Sequence, residues 1–598
     1  LKLNYKYLDC AMADDWRTFP KDFIIGVGSA SYQIEGGTKD DGRGESTFDR
    51  FVQTSKDTPV NGITYENADV SSDNYHHLEE DVKLLKELGV DFYRFSISWT
   101  GIDHYNRLID LLLEKDIKPF VTMFHWDYPQ PLQDLGGWTN PVMVDYFVEF
   151  AHLLLKTYGD RVKLWLTHNE PRLFSVGAYA KVSLNYPQLA PGIIMPGIAE
   201  YLSVHHILLS HAKVYHMYDK QFRPHQHGKM GISLDTFFYR PQTPAEEEAR
   251  DRLLQFHIGW IANPIFGTGD YPEIVRRIVD ENSKKEGRLT SRLPRFSDQE
   301  IRDLKGSADF FGINHYTTYL ARDDPNVVSV PSIERDAGVN LEADPKSKIA
   351  GPFWLIYEPE GFRELLNWLK KEYNNPPIFI TENGCSQTGK TLSEELNDDR
   401  RIGYIQAYLE QLLKAVNIDK VNVTGYSGWS FMDSFEWDSG FNERFGFYHV
   451  DFKDPKRTRR AKKSASFYRE ILLSRFLQPQ IQMVLIYDED SVVADANVIG
   501  VLLRSTFLRR FPYDCPAQKL KQNGAMKIIA PLIKTVCKYF LSFYTEMIHL
   551  GTDSYLKFTC GLKITAVISA VIILKPIRVF FLFFLMKVLA HLQSKHFM

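Results

Sequence analysis

Two glutamates stand out by their surroundings: Glu170 within Thr167-His168-Asn169-Glu170-Pro171 and Glu382 within Ile380-Thr381-Glu382-Asn383-Gly384. Each closes an apolar or β-branched run, which places its carboxyl at the end of a strand. Paired carboxyls suit the cleavage of a glycosidic bond, where one protonates the departing oxygen and the other attacks the anomeric carbon or activates water. Their separation selects the outcome, about 5–5.5 Å for retention and wider for inversion, and a sequence does not contain that distance. Two more runs end in polar or aromatic groups, His125-Trp126-Asp127 and Asn314-His315-Tyr316. Taken singly, a Glu on a strand pairs with an Arg, and His125 or Trp429 is a satisfied core side chain; their joint placement at strand ends is what favours chemistry.

The elements that must hold these residues follow from hydrophobic pattern. Eight apolar or β-branched runs recur in order: Asp22–Tyr32, Phe92–Trp99, Pro119–Trp126, Leu164–Glu170, Lys229–Thr236, Asp309–Thr317, Pro377–Gly384 and Gly425–Asp433. Amphipathic stretches separate them: Leu78, Val82, Leu85 and Leu88 recur at helical spacing before Gly89, and Leu108, Leu111 and Leu112 before Pro119. Strand and helix alternating eight times predict an α/β chain folded as a single (β/α)₈ TIM barrel. No repeat of 20–50 residues supports a solenoid or propeller. In such a barrel the strand C-termini share one face, where active sites lie, and Glu170 and Glu382 close the fourth and seventh strands.

The expected domains are a leader at 1–18, the barrel at 19–474 and a basic, partly apolar extension of unknown structure at 475–598. Residues 475–598 carry 15 Lys and Arg against 7 Asp and Glu, a net +8, which leaves −12 of the overall −4 on residues 1–474. A body so acidic repels phosphate backbones, so no nucleic-acid partner is expected, and neutral substrates fit better. Aromatic residues reach 14%, an excess suited to stacking on sugar faces or to large cores. Cys10, Cys385, Cys515, Cys537 and Cys560 match no metal or redox spacing, and no metal or other cofactor is expected. Within the extension, Ile564–Ala590 is long enough to cross a bilayer, but Lys575, Pro576, Arg578 and Lys587 interrupt it, so membrane association is not favoured. Residues 1–20 show no basic-then-apolar leader and begin at Leu1; secretion with a signal upstream, and a cytoplasmic form starting at Met12, both stay open. The oligomeric state is equally open.

The motifs around Glu170 and Glu382 resemble the two signatures of glycoside hydrolase family 1. The likeness spans residues 19–474 through Phe19-Pro20-Lys21-Asp22-Phe23, Ser31-Tyr32-Gln33-Ile34-Glu35-Gly36, Arg94-Phe95-Ser96-Ile97-Ser98-Trp99, Phe435-Glu436-Trp437 and Arg444-Phe445-Gly446. It is nearest to animal, insect-type β-glucosidases and myrosinase-like members. The resemblance implies a retaining β-glycosidase acting on O-β-glucosides, and on β-galactosides or β-fucosides, with Glu170 as acid/base and Glu382 as nucleophile. It implies that Arg94 and Tyr316 keep Glu382 ionised, and that Gln33, His125, Trp126, Asn169, Asn314, Tyr316, Trp429, Glu436, Trp437 and Phe445 contact the sugar. Glu436 beside the outer hydroxyls would repel a phosphate, disfavouring 6-phosphoglycosides. Two alternatives stand beside this reading: a myrosinase-like thioglucosidase, against which the plant arrangement with Gln at the acid position speaks, and a catalytically weak, klotho-like glycan-binding barrel, which typically lacks one carboxylate.

One segment departs from the family pattern. After Trp99 the chain runs Thr100-Gly101-Ile102-Asp103 straight into the next helix, about a dozen residues short of a loop that usually opens with Arg-Ile. A turn this short is expected to tilt Arg94 or to open one side of the pocket. Ser434 and Phe441, where Asn and Tyr are common, are milder departures.

Overall fold

The eight runs become the eight strands of a closed parallel barrel in a computed structural model that describes residues 15–57, 66–99, 101–183 and 186–478. The strands are β1 (Ile24–Gly28), β2 (Phe92–Ser96), β3 (Lys118–Phe124), β4 (Leu164–Asn169), β5 (Lys229–Asp235), β6 (Phe310–Asn314), β7 (Ile378–Asn383) and β8 (Val423–Trp429). They follow sequence order around the ring, and β1 closes on β8 from Ile24↔Gly425 to Gly28↔Trp429. A TIM barrel is therefore the fold of this region. Helices of the outer layer include α1 (Leu78–Leu88), α2 (Ile102–Glu114), α3 (Val142–Tyr158), α4 (Pro171–Tyr179), α5 (Ala199–Met217), α6 (Pro359–Glu372), α7 (Asp399–Asn417) and α8 (Lys463–Ser474). Leu78, Val82, Leu85 and Leu88 form the buried stripe of α1, and Gly89 at φ 87° caps it in the left-handed region that favours glycine.

Strand ends are shorter than the apolar runs. Ser31–Ile34 is a helical turn, Ile97–Trp99 lies beyond β2, and Ser430–Asp433 lies beyond β8. These residues are apolar or small because they pack against other elements: Tyr32 lies 4.9 Å from Phe48, and Trp99 stacks on Phe150 of α3 at 4.1 Å, ring centre to ring centre.

Inside the barrel, Phe92, Phe120, Leu166, Phe310 and Phe379 form a plug contributed by five strands, with ring centres 5.0–6.0 Å apart. Two residues along β2 from Phe92, the period of a strand, Arg94 points to the same interior one layer higher. The plug thus gives the polar layer a dry floor, where charge interactions are strong. Register shifts interrupt β4 between Leu166 and Asn169 and β7 between Ile380 and Glu382. Bulges re-aim side chains, and these two fall just before the glutamates.

The barrel reaches slightly past both expected boundaries. Trp16 packs against the core, Leu477 is fully buried, and Phe19 N–H donates to the Arg475 carbonyl at 3.0 Å. Residues 1–14, the extension from 479 with Ile564–Ala590, and four of the five cysteines lie outside the described residues; Cys385 is a buried free thiol. No helix among the described residues is long and apolar enough to cross a membrane.

Candidate active site

Glu170 follows the last residue of β4 and precedes α4, whose first residue is Pro171, a position where proline's missing N–H is harmless. Its φ of 47° is unusual for a residue with a side chain; Trp126 (78°) and Trp437 (51°) share the left-handed region. Such backbone costs about 1–3 kcal/mol each and persists where surrounding contacts impose it. Here Glu170 N–H donates to the Ser233 carbonyl at 2.8 Å, and Asn314 Nδ2 donates to Glu170 Oε1 at 2.7 Å.

Glu382 is held differently. Arg94 Nη1 donates to its Oε1 at 2.6 Å and the Tyr316 hydroxyl donates to its Oε2 at 2.8 Å. Arg94, fully buried, also donates to Thr122 Oγ1, to the Thr381 carbonyl and to Asn169 Oδ1 at 2.7–3.1 Å. Burial raises Glu382 above the ordinary carboxylate value, although Arg94, Tyr316 and Asn314 oppose it. Glu170 has no cation in contact among the described residues; burial, then the charges of Glu382 and Asp235, push it well above the ordinary carboxylate range. When the pair holds a single proton, that proton therefore rests on Glu170.

The expected sugar-contact residues converge around these carboxyls. His125 Nε2 pairs with Asn169 Nδ2 at 3.2 Å, so the ring accepts there and carries its hydrogen on Nδ1, which is buried without a protein partner. Burial and Arg94 keep this imidazole neutral by driving it well below its usual range. Gln33 Nε2 donates to the Phe435 carbonyl at 2.7 Å and lies 3.4 Å from Glu436 Oε2, while its Oε1 is buried and unpartnered. Trp126 Nε1 donates to the Asn169 carbonyl, and the ring planes of Trp429 and Trp437 lie within 15–16° of His125, 6.1–6.2 Å away. Phe445 meets Tyr316 edge to face at 6.3 Å. Ser434, replacing a common Asn, donates to Glu436 Oε1 at 3.1 Å. Burial pushes Glu436 well above the carboxylate range, so the charge-repulsion reason for rejecting phosphate weakens at neutral pH; a protonated Glu436 offers one donor and one acceptor to hydroxyls.

Residues 16–475 match the model of the family described as Glycosyl hydrolase family 1. The chain belongs to this family. Myrosinase 1 of Brevicoryne brassicae is 42% identical over 478 residues, covering 76% of this chain and 98% of that protein. The cytosolic beta-glucosidase of Homo sapiens is 37% identical over 480 residues, covering 77% and 100%. Among solved structures, a rice beta-glucosidase mutant in a covalent complex with Glc superposes with a TM-score of 0.69 at 37% identity, covering 75% of this chain and 98% of that one. As a family 1 member the protein is a glycoside hydrolase.

Against the family pattern, the short turn after Trp99 leaves Arg94 in contact with Glu382, so the expected tilt does not occur. Arg94 is fixed by Thr122, Asn169 and Glu382, all on other strands. The turn does border an opening, a cavity of about 20 Å³ whose wall contains none of the expected sugar contacts; Thr100 itself lies outside the described residues. Three further participants escaped the sequence. Asp235 closes β5 and accepts from Arg172 Nε at 2.7 Å and pairs with His257 at 3.0 Å; an acid at a strand's C-terminal end was the available signal. Thr122 looks like a core threonine until Arg94 reaches it. Trp354, edge-on to Tyr316 at 5.8 Å, lies in the long excursion between β6 and β7, where no spacing marks it.

Proposed function

We propose that the protein is a retaining β-glycosidase that hydrolyses O-β-glucosides, with β-galactosides and β-fucosides as further substrates. The observation that carries this reading is the asymmetry of the pair: Glu382 is bound by Arg94 and Tyr316, and Glu170 is buried without a cation. In the first step Glu170 gives its proton to the glycosidic oxygen while Glu382 attacks the anomeric carbon and the aglycone departs. Forming the glycosyl ester removes the charge on Glu382 which, after burial, does most to hold Glu170 protonated; Glu170 then takes a proton from water, which attacks the anomeric carbon from the side opposite the ester. Asn314 hydrogen-bonds Glu170 and helps lower Glu382, so one amide serves both carboxyls; this supports the short spacing of retention. The covalent Glc complex of the rice relative supports the same course.

The myrosinase relative motivates a second reading, an S-β-glucosidase, since Glu170 can equally serve a sulfur leaving group that needs less protonation. The test is turnover of aryl β-glucoside, β-galactoside, β-fucoside and an S-β-glucoside, with Glu382→Ala as control. Retention predicts that the first product seen by NMR is the β-anomer and that the variant loses at least about 10³-fold in kcat. An α-anomer, or turnover that survives the substitution, overturns the proposal.

A further inference from the structure

The cavity beside the short turn has a chemistry of its own. Glu35, Asp40, Asp41, Tyr75, His104 and Tyr105 contribute to its wall, and its volume of about 20 Å³ accommodates one or two groups the size of water. Three carboxyls line it with one guanidinium, that of Arg43, which is already drawn to Asp49 at 3.5 Å; Asp40 also lies 3.4 Å from His76 Nε2, and Asp41 accepts from the Tyr75 hydroxyl. The Glu35 carboxyl accepts one hydrogen bond among the described residues, from the Tyr105 hydroxyl at 2.8 Å. With no cation in contact, burial pushes it up to about 8. Behind the wall, Asp127 is 1% exposed and its Oδ1 has no partner, adding uncompensated acceptor capacity.

His104 supplies the second, independent observation. It lines the cavity, is 9% exposed, and its Nε2 is buried without a hydrogen-bond partner. Burial lowers this imidazole to about 4, so at neutral pH the ring is uncharged and one nitrogen carries a free lone pair. A lone pair beside carboxylates matches an N–H donor that brings positive charge. No group of three metal-ligating side chains among the described residues is placed to hold a metal ion.

We propose that this cavity binds a compact ammonium-type cation, whose entry ionises Glu35 and selects the His104 tautomer with its hydrogen on Nδ1, so that its N–H groups donate to the Glu35 carboxylate and to His104 Nε2 near Asp40 and Asp41. Charge and hydrogen-bond donors both matter: an alkali cation satisfies the carboxylate but not the imidazole, and a tetraalkylammonium has the charge but neither the donors nor the size. The site's wall shares no residue with the expected sugar contacts.

The test is thermal unfolding of the full chain in ammonium, sodium, potassium and tetramethylammonium chloride at equal ionic strength. Ligand binding to the folded state predicts a Tm about 1–2 °C higher in ammonium at roughly ten times its Kd, with no such gain in the other salts. Glu35→Gln should abolish the gain, and Asp41→Asn, a change at an exposed position, should reduce it with the fold intact. Equal Tm values in all four salts, a potassium effect as large as that of ammonium, or an ammonium effect unchanged in both variants would overturn the proposal.

Discussion

Removing the hydroxyl of Tyr316 takes away one of the contributions that favour the charged form of Glu382 and leaves those of Arg94 and Asn314. Tyr316→Phe keeps the ring packed against Phe445 and Trp354 but deletes the 2.8 Å hydrogen bond to Oε2, leaving Arg94 and Asn314 to oppose burial. Hydrogen bonds to charged groups contribute about 1.5–3 kcal/mol, so kcat should fall roughly 10- to 150-fold. The sign of the pH effect follows from the roles. As the proposed nucleophile Glu382 must be ionised to attack, and losing a donor to its charged form raises its pKa, so the acidic limb of the kcat/KM profile should move to higher pH. The alkaline limb, where Glu170 loses its proton, should stay near its wild-type position apart from the coupling within the pair. An acidic limb that moves down, or a limb that does not move while kcat falls, would refute this role for Tyr316. The identities of Arg94, Tyr316 and both glutamates were legible because each belongs to a short, distinctive run. The protonation order was not, because it depends on burial and on Asp235, which no local pattern ties to Glu170.

At the scale of elements, the short turn is a question of backbone. Gly101 at φ 97° starts α2 in the left-handed region, and a Cβ there would meet nothing closer than 3.8 Å. Gly101→Ala therefore carries only the conformational penalty, about 1–2 kcal/mol, without a clash. Because Arg94 is held from β3, β4 and β7 rather than by this turn, the variant should unfold at lower denaturant concentration yet retain kcat/KM within about twofold. Loss of turnover at unchanged stability would mean that the turn does position Arg94. The same distinction explains what the sequence disclosed of the barrel. The eight runs located its strands because both faces of a parallel strand are buried and read as continuous apolar stretches. Their ends were blurred because Tyr32 is buried against Phe48 and Phe435, and Trp99 packs on Phe150 of α3, neither of them through strand pairing. The bulges before Asn169 and Glu382 left no trace, since register is set by partners distant in sequence.

At the scale of the molecule, the described barrel is closed by its own termini. Leu477 N–H donates to the Arg17 carbonyl, Phe19 N–H to the Arg475 carbonyl, Gln406 Nε2 to the Gln478 carbonyl at 2.6 Å, and Arg475 pairs with Asp91. Asp91 Oδ2 in turn accepts from the Ile25 backbone at 2.7 Å, so this clasp supports the entry to β1 and β2. Every catalytic and sugar-contact candidate lies between Gln33 and Phe445, inside the clasp. A chain ending at Gln478 should therefore keep kcat/KM within about twofold of the full chain. One ending at Ser474 deletes Arg475 and the buried Leu477, leaving Asp91 and the Arg17 carbonyl without these partners. Removing a fully buried leucine and a partly buried ion pair costs about 3–5 kcal/mol, a Tm loss of several degrees in a domain this size. The comparison is decisive because the two chains differ by four residues: equal melting temperatures would show that the clasp contributes nothing, and inactivity of the longer one would place a requirement for turnover in residues 479–598.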